Sequence, residues 1–413
     1  MLEKKEIYKR SIEKFLYFHK EMSCADMCVQ LDKSLPLVTK LVNELIEEGL
    51  VVEAGFAQST GGRRAQMFRL RTDLIYVVAV AMDQHVTRMA ILNASNQHVV
   101  PEQRVDIHLA DNANALQELT HHLQAFVQSA NLPLEKIAGI GIGMPGFVDV
   151  HEGRNHSFLP SGKQSIVATL QAATGLPVVI DNDSSLIALA EQRFGEAKGH
   201  QNVMVINVSW GVGLGLILNG KLFRGDNGFA GEFSHMPMFT NNKLCSCGKM
   251  GCLETEASME VIVNKALQGI ANGSLTSIKK LSKDDLEDAC TSVLMAAGKG
   301  DRFAVELLSE VAYNIGRGVA ILIHLLNPGL VVLSGRGSIA GKLWLAPIQQ
   351  AINENSIPKL AENTEIRVSS LGNEAQLIGP AALVMDHYEE LKKISAKKPL
   401  KTTKAVSKKA VSL

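Results

Sequence analysis

The chain has no uninterrupted apolar run near the roughly 18 residues that a bilayer-crossing helix needs, so no membrane insertion is expected. Its start, MLEKKEIYKR, is charged from the third residue with no apolar segment behind it. That argues against a secretory leader and for a cytoplasmic location. Cysteine is sparse, six in 413 residues, too few for a disulfide scaffold. Three of the six fall within eight positions, which suits a metal better than a disulfide. Net charge is absent too, with 42 basic residues balancing 42 acidic ones. Apolar material is plentiful: 46% hydrophobic against 20% charged excludes disorder of the whole chain and implies a soluble protein of two or three domains.

The zero balance hides an uneven distribution. Residues 1–71 hold 12 Lys/Arg against 10 Asp/Glu, and residues 391–413 hold eight Lys and no acid. The stretch between is left with 22 bases against 32 acids. Positive ends on an acidic body suit contact with a polyanion at the termini and another task in the centre. Residues 391–413 show no apolar periodicity and are expected to form a basic disordered tail.

Residues 1–72 read as a winged helix-turn-helix DNA-binding domain. A helix is predicted over 5–20, then a short one capped by Ser23 that runs through Leu31, with Met27, Val29 and Leu31 partly buried. Ser34 is placed to cap a third helix with Pro36 in its first turn. In that helix Val38, Leu41, Val42 and Leu45 recur at i, i+3, i+4 and i+7, so one face is core. The opposite face carries Pro36, Thr39, Lys40 and Asn43, groups able to reach base edges or phosphates. Two short strands around AQSTGGRRAQ form the wing, and Gly61-Gly62 free Arg63 and Arg64 to follow the DNA backbone or enter a narrow minor groove. Double-stranded operator DNA is the expected partner.

From residue 73 the pattern becomes strands alternating with helices, which implies mainly parallel sheets covered by helices. The cycle runs twice. It predicts two similar lobes, roughly 73–190 and 191–390, with a ligand between them. Glycine clusters follow three strands, at Gly141–Gly146, Gly211–Gly215 and Gly335-Arg336-Gly337, as turns where a backbone can approach a ligand. His235, Cys245, Cys247 and Cys252 supply one imidazole and three thiolates, the full tetrahedral shell of a structural Zn2+. Such a closed shell has no open position for an activated water.

With GIGMPG at 141–146, Asp181-Asn182-Asp183, GDNGFAGEFSH at 225–235 and CSCGKMGCLE at 245–254, residues 74–390 resemble the ROK family of repressors, open reading frames and sugar kinases. The resemblance implies an actin-like (ribonuclease H-like) two-lobed α/β fold with a structural zinc site. With the winged head in front, the whole chain resembles the repressor branch, that of the N-acetylglucosamine and xylose repressors, and Gly61–Arg64 matches that branch's link between its two parts. The resemblance places sugar hydroxyls on Asn182, Asp183, Glu232, His235 and Glu254, with Asn155 in a looser match. Carboxylates, one amide and one imidazole give the paired hydrogen bonds that neutral hydroxyls want. His235 would hold zinc through one ring nitrogen and a hydroxyl through the other.

In the family's kinases the acid matching Asp183 is the general base. Here their first glycine turn is replaced by Asp83-Gln84-His85, with Ala81 near their Asp position, and Ser209-Trp210 stand where a Gly-Thr pair is usual. Phosphoryl transfer needs a phosphate cradle, so no ATP binding and no enzyme activity are expected. The expected function is a sugar-responsive transcriptional regulator, a homodimer or homotetramer, with a monosaccharide or sugar phosphate as effector. An active sugar kinase bearing a DNA-binding domain, with Asp183 as its base, and a repressor controlled by a transporter protein remain the alternatives.

Overall fold

Apolar spacing in the first fifty residues becomes three helices, α1 (Leu2–His19), α2 (Cys24–Leu31) and α3 (Leu35–Glu47). The computed structural model describes residues 2–58, 64–282 and 285–397. Ser23 caps α2 reciprocally: its hydroxyl accepts from the Asp26 N–H at 3.2 Å, and the Asp26 carboxylate accepts from the Ser23 N–H at 3.1 Å. Ser34 precedes α3 in extended backbone but its hydroxyl makes no capping bond; Pro36, lacking an N–H, removes one orphan donor instead. Val38, Leu41, Val42 and Leu45 are all buried, and Pro36, Thr39, Lys40 and Asn43 are all exposed, as the periodicity requires. Val29 departs from expectation at 81% exposed. Met27 is the buried residue of α2, and a neighbour two positions on points to the far side of a helix.

Strands Val51–Phe56 and Gln66–Leu70 pair antiparallel where a wing was expected, and Met22–Ser23 joins the second of them to complete a three-stranded sheet. Arg63 lies outside the described residues, with 59–62; Arg64 is exposed at the base of the loop. Among the described residues no helix is long and apolar enough to cross a membrane.

The two predicted lobes are present as two five-stranded sheets of the same design. In the first, Val178–Asn182, Ile137–Met144, Tyr76–Met82, Val86–Asn93 and Gln103–Asp106 lie side by side in that order. In the second the order is Lys221–Phe223, Val212–Leu218, Val203–Val208, Leu330–Ser334 and Glu365–Val368. In each sheet two neighbouring pairings are parallel and two antiparallel, so four strands run one way and one (Val86–Asn93, Val212–Leu218) runs against them, and each lobe repeats one topology.

The simple division at residue 190 needs correction. Helix Ala375–Asp386 returns to the first lobe and packs on strands Ile137–Met144 and Tyr76–Met82 and on helix Asp183–Phe194. It is buried from Leu377 through Met385, so only a position sandwiched between other elements satisfies it. The tail boundary moves as well: residues 388–397 are helical, with Tyr388 and Leu391 buried, while 398–413 lie outside the described residues.

Head and body are one packed unit. Ile12, Leu16, Tyr17 and Phe18 of α1 share a core with Val77, Ala79, Leu383 and Leu391. Tyr388 donates to the Glu13 carboxylate at 2.6 Å, Ser11 donates to Glu389 at 2.7 Å, and the Lys14 ammonium donates to the Asp386 carbonyl at 2.6 Å.

Candidate sugar and metal site

Between the lobes lies a cleft of about 590 Å³. Its floor is the start of helix Asp183–Phe194, which sits directly against strand Val212–Leu218 because that strand has no side chains in the way. A Cβ on Gly213 would stand 1.9 Å from Ser184 Oγ, and one on Gly215 would stand 2.3 Å from Ala188 Cβ. These glycines therefore serve helix packing, and Gly213 lines the cleft as well.

Asn182 is the helix N-cap. Its Oδ1 accepts from the N–H groups of Ser184 and Ser185 at 3.0 and 3.1 Å, and its Nδ2 donates to the Gly146 carbonyl at 3.2 Å. Asp183 follows, partly buried, accepting from the Ser184 N–H at 2.7 Å and from Asn207 Nδ2 at 3.4 Å. Burial pushes the Asp183 carboxyl up to about 6; hydrogen bonds from Ser184 oppose the shift, and the charges of Asp83 and Glu232 add to it. Glu232, His235 and Glu254 line the same cleft, so all five sugar-site residues named from the motifs meet there. Glu232 lies 3.6 Å from His235 Nε2, and Glu254 accepts from the Val212 N–H at 3.4 Å.

Behind this wall His235, Cys245, Cys247 and Cys252 converge, their ligand atoms all within 4.8 Å of one another. Cys247 and Cys252 sulfurs are 3.6 Å apart, close to the ~3.8 Å edge of a tetrahedron with 2.3 Å metal–sulfur bonds and far from a ~2.05 Å disulfide. His235 turns Nδ1 toward Cys245 Sγ at 3.5 Å while Nε2 faces the cleft side and Glu232. Gly251, at φ +72°, admits the tight return of the loop; a Cβ there would sit 1.9 Å from the Phe239 carbonyl oxygen. One imidazole and three thiols so gathered are a donor set that fits a single metal ion.

Asn155, matched loosely to a sugar-binding position, is committed elsewhere. Its Nδ2 donates to the Pro145 carbonyl at 2.9 Å, its Oδ1 accepts from the Ser157 and Phe158 N–H groups, each at 2.9 Å, and it is buried.

The cleft also holds a cluster of which the sequence had singled out Asp83, His85 and Trp210 but not their partner Arg336. Arg336, 4% exposed, pairs with Asp83 at 3.0 Å and with Glu287, and stacks its guanidinium 4.9 Å from the Trp210 ring centre. Asp83 also caps its own turn, accepting from the His85 and Val86 N–H groups at 2.8 Å each. Trp210 is buried against His85 edge to face, with centroids 6.1 Å apart. An indole and a paired guanidinium thus fill the space between the 83–85 turn and the 209–211 turn. For Arg336 itself the one sequence signal was its place inside a glycine cluster.

A sequence profile of the ROK family matches residues 77–387. The chain belongs to the ROK family. The xylose repressor of Caldicellulosiruptor bescii is 31% identical over 92% of this chain and 96% of its own length. A glucokinase of Halalkalibacterium halodurans is also 31% identical, but over 77% of this chain and 97% of its own length. Among solved structures, a ROK family transcriptional regulator, homologue of the E. coli MLC protein, superposes with a TM-score of 0.74 at 25% identity. That match covers 95% of this chain and 99% of the other. Within the ROK family, then, the regulator-type relatives account for more of this chain than the glucokinase does.

Proposed function

We propose that this ROK protein is a sugar-responsive repressor of carbohydrate genes, acting in the cytoplasm on double-stranded operator DNA as a homodimer or homotetramer. The observation that carries the proposal is the cleft itself: it gathers Asn182, Asp183, Glu232, His235 and Glu254 with a Trp210–Arg336–Asp83 cluster, on a chain whose N-terminal helices share a core with the first lobe. In this reading α3 enters the major groove with Pro36, Thr39, Lys40 and Asn43 toward the bases, while Arg63 and Arg64 follow the backbone from the wing. Asn182, Asp183, Glu232, His235 and Glu254 hold the sugar.

His235, Cys245, Cys247 and Cys252 would hold a structural Zn2+, which supplies a fixed loop and a fixed imidazole tautomer, with no catalytic role. His235 is then a firm donor or acceptor toward a hydroxyl, and Glu232 keeps its place beside it.

One helix links sensing to DNA binding. Asp183–Phe194 begins at the sugar site and spans about 18 Å. It ends with the Arg193 guanidinium 4.5 Å over the Phe18 ring of α1 and with Phe194 edge-on to Tyr17 at 5.6 Å. Sugar that draws Asp183 toward Glu232 would tilt this helix and shift the head, changing the spacing of paired recognition helices. A ligand does this only by binding one arrangement more tightly, typically by about 1–3 kcal/mol.

The test is fluorescence anisotropy of labelled DNA from upstream of the chain's own gene, titrated with the protein and a panel of sugars. Operator affinity that changes at least fivefold with one sugar, and not in Asp183→Ala, supports the proposal. Response only to a transporter protein favours the partner-controlled alternative. ATP-dependent turnover of a hexose, lost in Asp183→Ala, favours the kinase.

A further inference from the structure

We propose that the cleft carries a second, outer saccharide subsite built on Phe147, Phe229 and His156, so that the effector is a disaccharide or longer chain. The inference rests on the sugar-sensor reading and specifies its ligand.

Phe147 stands on a rigid hairpin. Strands Val148–Asp149 and Arg154–Asn155 pair antiparallel, the Phe147 N–H donates to Ser157 Oγ at 3.0 Å, and its carbonyl accepts from the His156 N–H at 2.8 Å. Gly146 at φ +85° starts the turn, and a Cβ there would sit 2.5 Å from Ser157 Cβ. The hairpin is thus held by backbone and by Asn155, and the Phe147 ring takes no part in holding it. That ring is nevertheless set on the cleft wall, 40% exposed. Its partner arrives from the second lobe. Phe229 meets Phe147 edge to face with centroids 5.3 Å apart, and the His156 ring meets Phe229 at 6.0 Å. The Phe229 loop is also pinned: the Ala230 N–H donates to the Arg224 carbonyl at 3.0 Å, and the Arg224 guanidinium donates twice to the buried Asp181 carboxylate, at 3.0 and 2.6 Å. Two aromatic rings from different lobes are preorganised at the mouth of a polar cleft, with solvent on one face.

Aromatic rings beside carboxylates match one ligand chemistry well. A sugar ring presents an apolar C–H face and a rim of hydroxyls, so it stacks on the first and hydrogen-bonds to the second. Lipids would leave the carboxylates unanswered. Anions are disfavoured, because the charged side chains on the wall are Asp83, Asp111, Asp183, Glu232 and Glu254, with His235 the one basic group facing them. At about 590 Å³ the cleft falls in the ~300–1,000 Å³ range that encloses drug-sized ligands, ample for a second ring beyond the one held at Asp183.

The test is isothermal titration calorimetry on the full chain with matched probes: glucose against cellobiose and maltose, N-acetylglucosamine against chitobiose, and xylose against xylobiose. At least one disaccharide should bind about tenfold or more tighter than its monosaccharide. Phe147→Ala should remove that gain and leave the monosaccharide Kd within about twofold, and His156→Ala should reduce the gain in the same direction. A monosaccharide that binds as tightly as its disaccharides in every set, or a gain that survives Phe147→Ala, overturns the outer subsite and leaves the sensor reading standing. No binding by any saccharide overturns both.

Discussion

Replacing Asp183 with asparagine should stabilise the sugar-free protein at neutral pH and silence its response to sugar. The Asp183 carboxyl, ordinarily near 3.8, is raised to about 6 in the folded chain because burial and the neighbouring Asp83 and Glu232 charges disfavour its anion. The folded state therefore holds this proton more tightly than the unfolded state does. The resulting penalty on folding is small below the unfolded value, grows as pH rises between about 4 and 6, and is full above it. With 1.36 kcal/mol per pKa unit, the penalty is under 1 kcal/mol at pH 4 and about 3 kcal/mol at pH 7.5. Asparagine keeps an oxygen for the Ser184 N–H. Its new amide can be met by Asn207, whose Oδ1 is buried without a partner and whose amide can flip, since the Ser184 hydroxyl can donate as well as accept. Urea unfolding of both proteins at pH 5.0 and 7.5 measures the difference: the variant should gain stability at pH 7.5 and gain less at pH 5.0. The same substitution removes the charged acceptor for a hydroxyl, so sugar affinity should fall at least tenfold. In the unaltered protein the affinity should weaken as pH drops through 6. An Asp183→Asn protein no more stable than the parent at pH 7.5, or one whose advantage shrinks as pH rises, would refute the argument.

Arg336→Met should cost about 2–4 kcal/mol in the same unfolding assay, because it strands Asp83 and Glu287 in a largely buried site; adding Asp83→Asn should recover part of the loss, and a purely additive double variant would deny the coupling. Metal analysis should find one zinc ion per chain. Cys247→Ser should lose it and weaken sugar binding about tenfold, since Glu232 and His235 hang on that loop, and retention of both metal and affinity would remove the assignment. Lys40→Ala should weaken operator binding nearly uniformly across sequences and lower the salt slope by about one, whereas Asn43→Ala should cost about 1–3 kcal/mol at one base pair only; identical behaviour of the two would contradict the docking.

What could be read from the sequence was what depends on neighbours along the chain. The i, i+3, i+4, i+7 set of α3, the alternation of strands with helices from residue 73, and the Cys-x-Cys spacing beside His235 are local patterns, and the structure has a helix, a strand–helix alternation and a His/Cys cluster there. Site residues carried by motifs also converged, because the helix start at Asp183 and the loop at 232–254 are each short, self-contained units. Features that join distant segments were illegible. Helix Ala375–Asp386 reads only as an apolar segment, and nothing in it says that it crosses back to the first lobe. Arg336 and Asp83 are 253 positions apart, so their pairing has no signature in spacing. The second role of the glycines was hidden for the same reason: the missing side chains of Gly213 and Gly215 make room for Ser184 and Ala188 from a helix that precedes them in the chain.

That second role bears on how the molecule works. If glycine bareness brings helix Asp183–Phe194 hard against the second lobe, the helix cannot shift without that lobe's sheet sensing it, and its far end is already wedged beneath α1 through Arg193 and Phe194. Close-packed interiors do not absorb such shifts locally. Gly215→Ala, which pushes a methyl into Ala188, should therefore disturb operator affinity although it touches neither DNA nor sugar. The measurement is operator Kd without sugar, after circular dichroism has shown the fold intact. An unchanged Kd in a folded Gly215→Ala protein would mean that the helix is not the route between cleft and head, and that the signal travels through helix Ala375–Asp386 and Tyr388 instead.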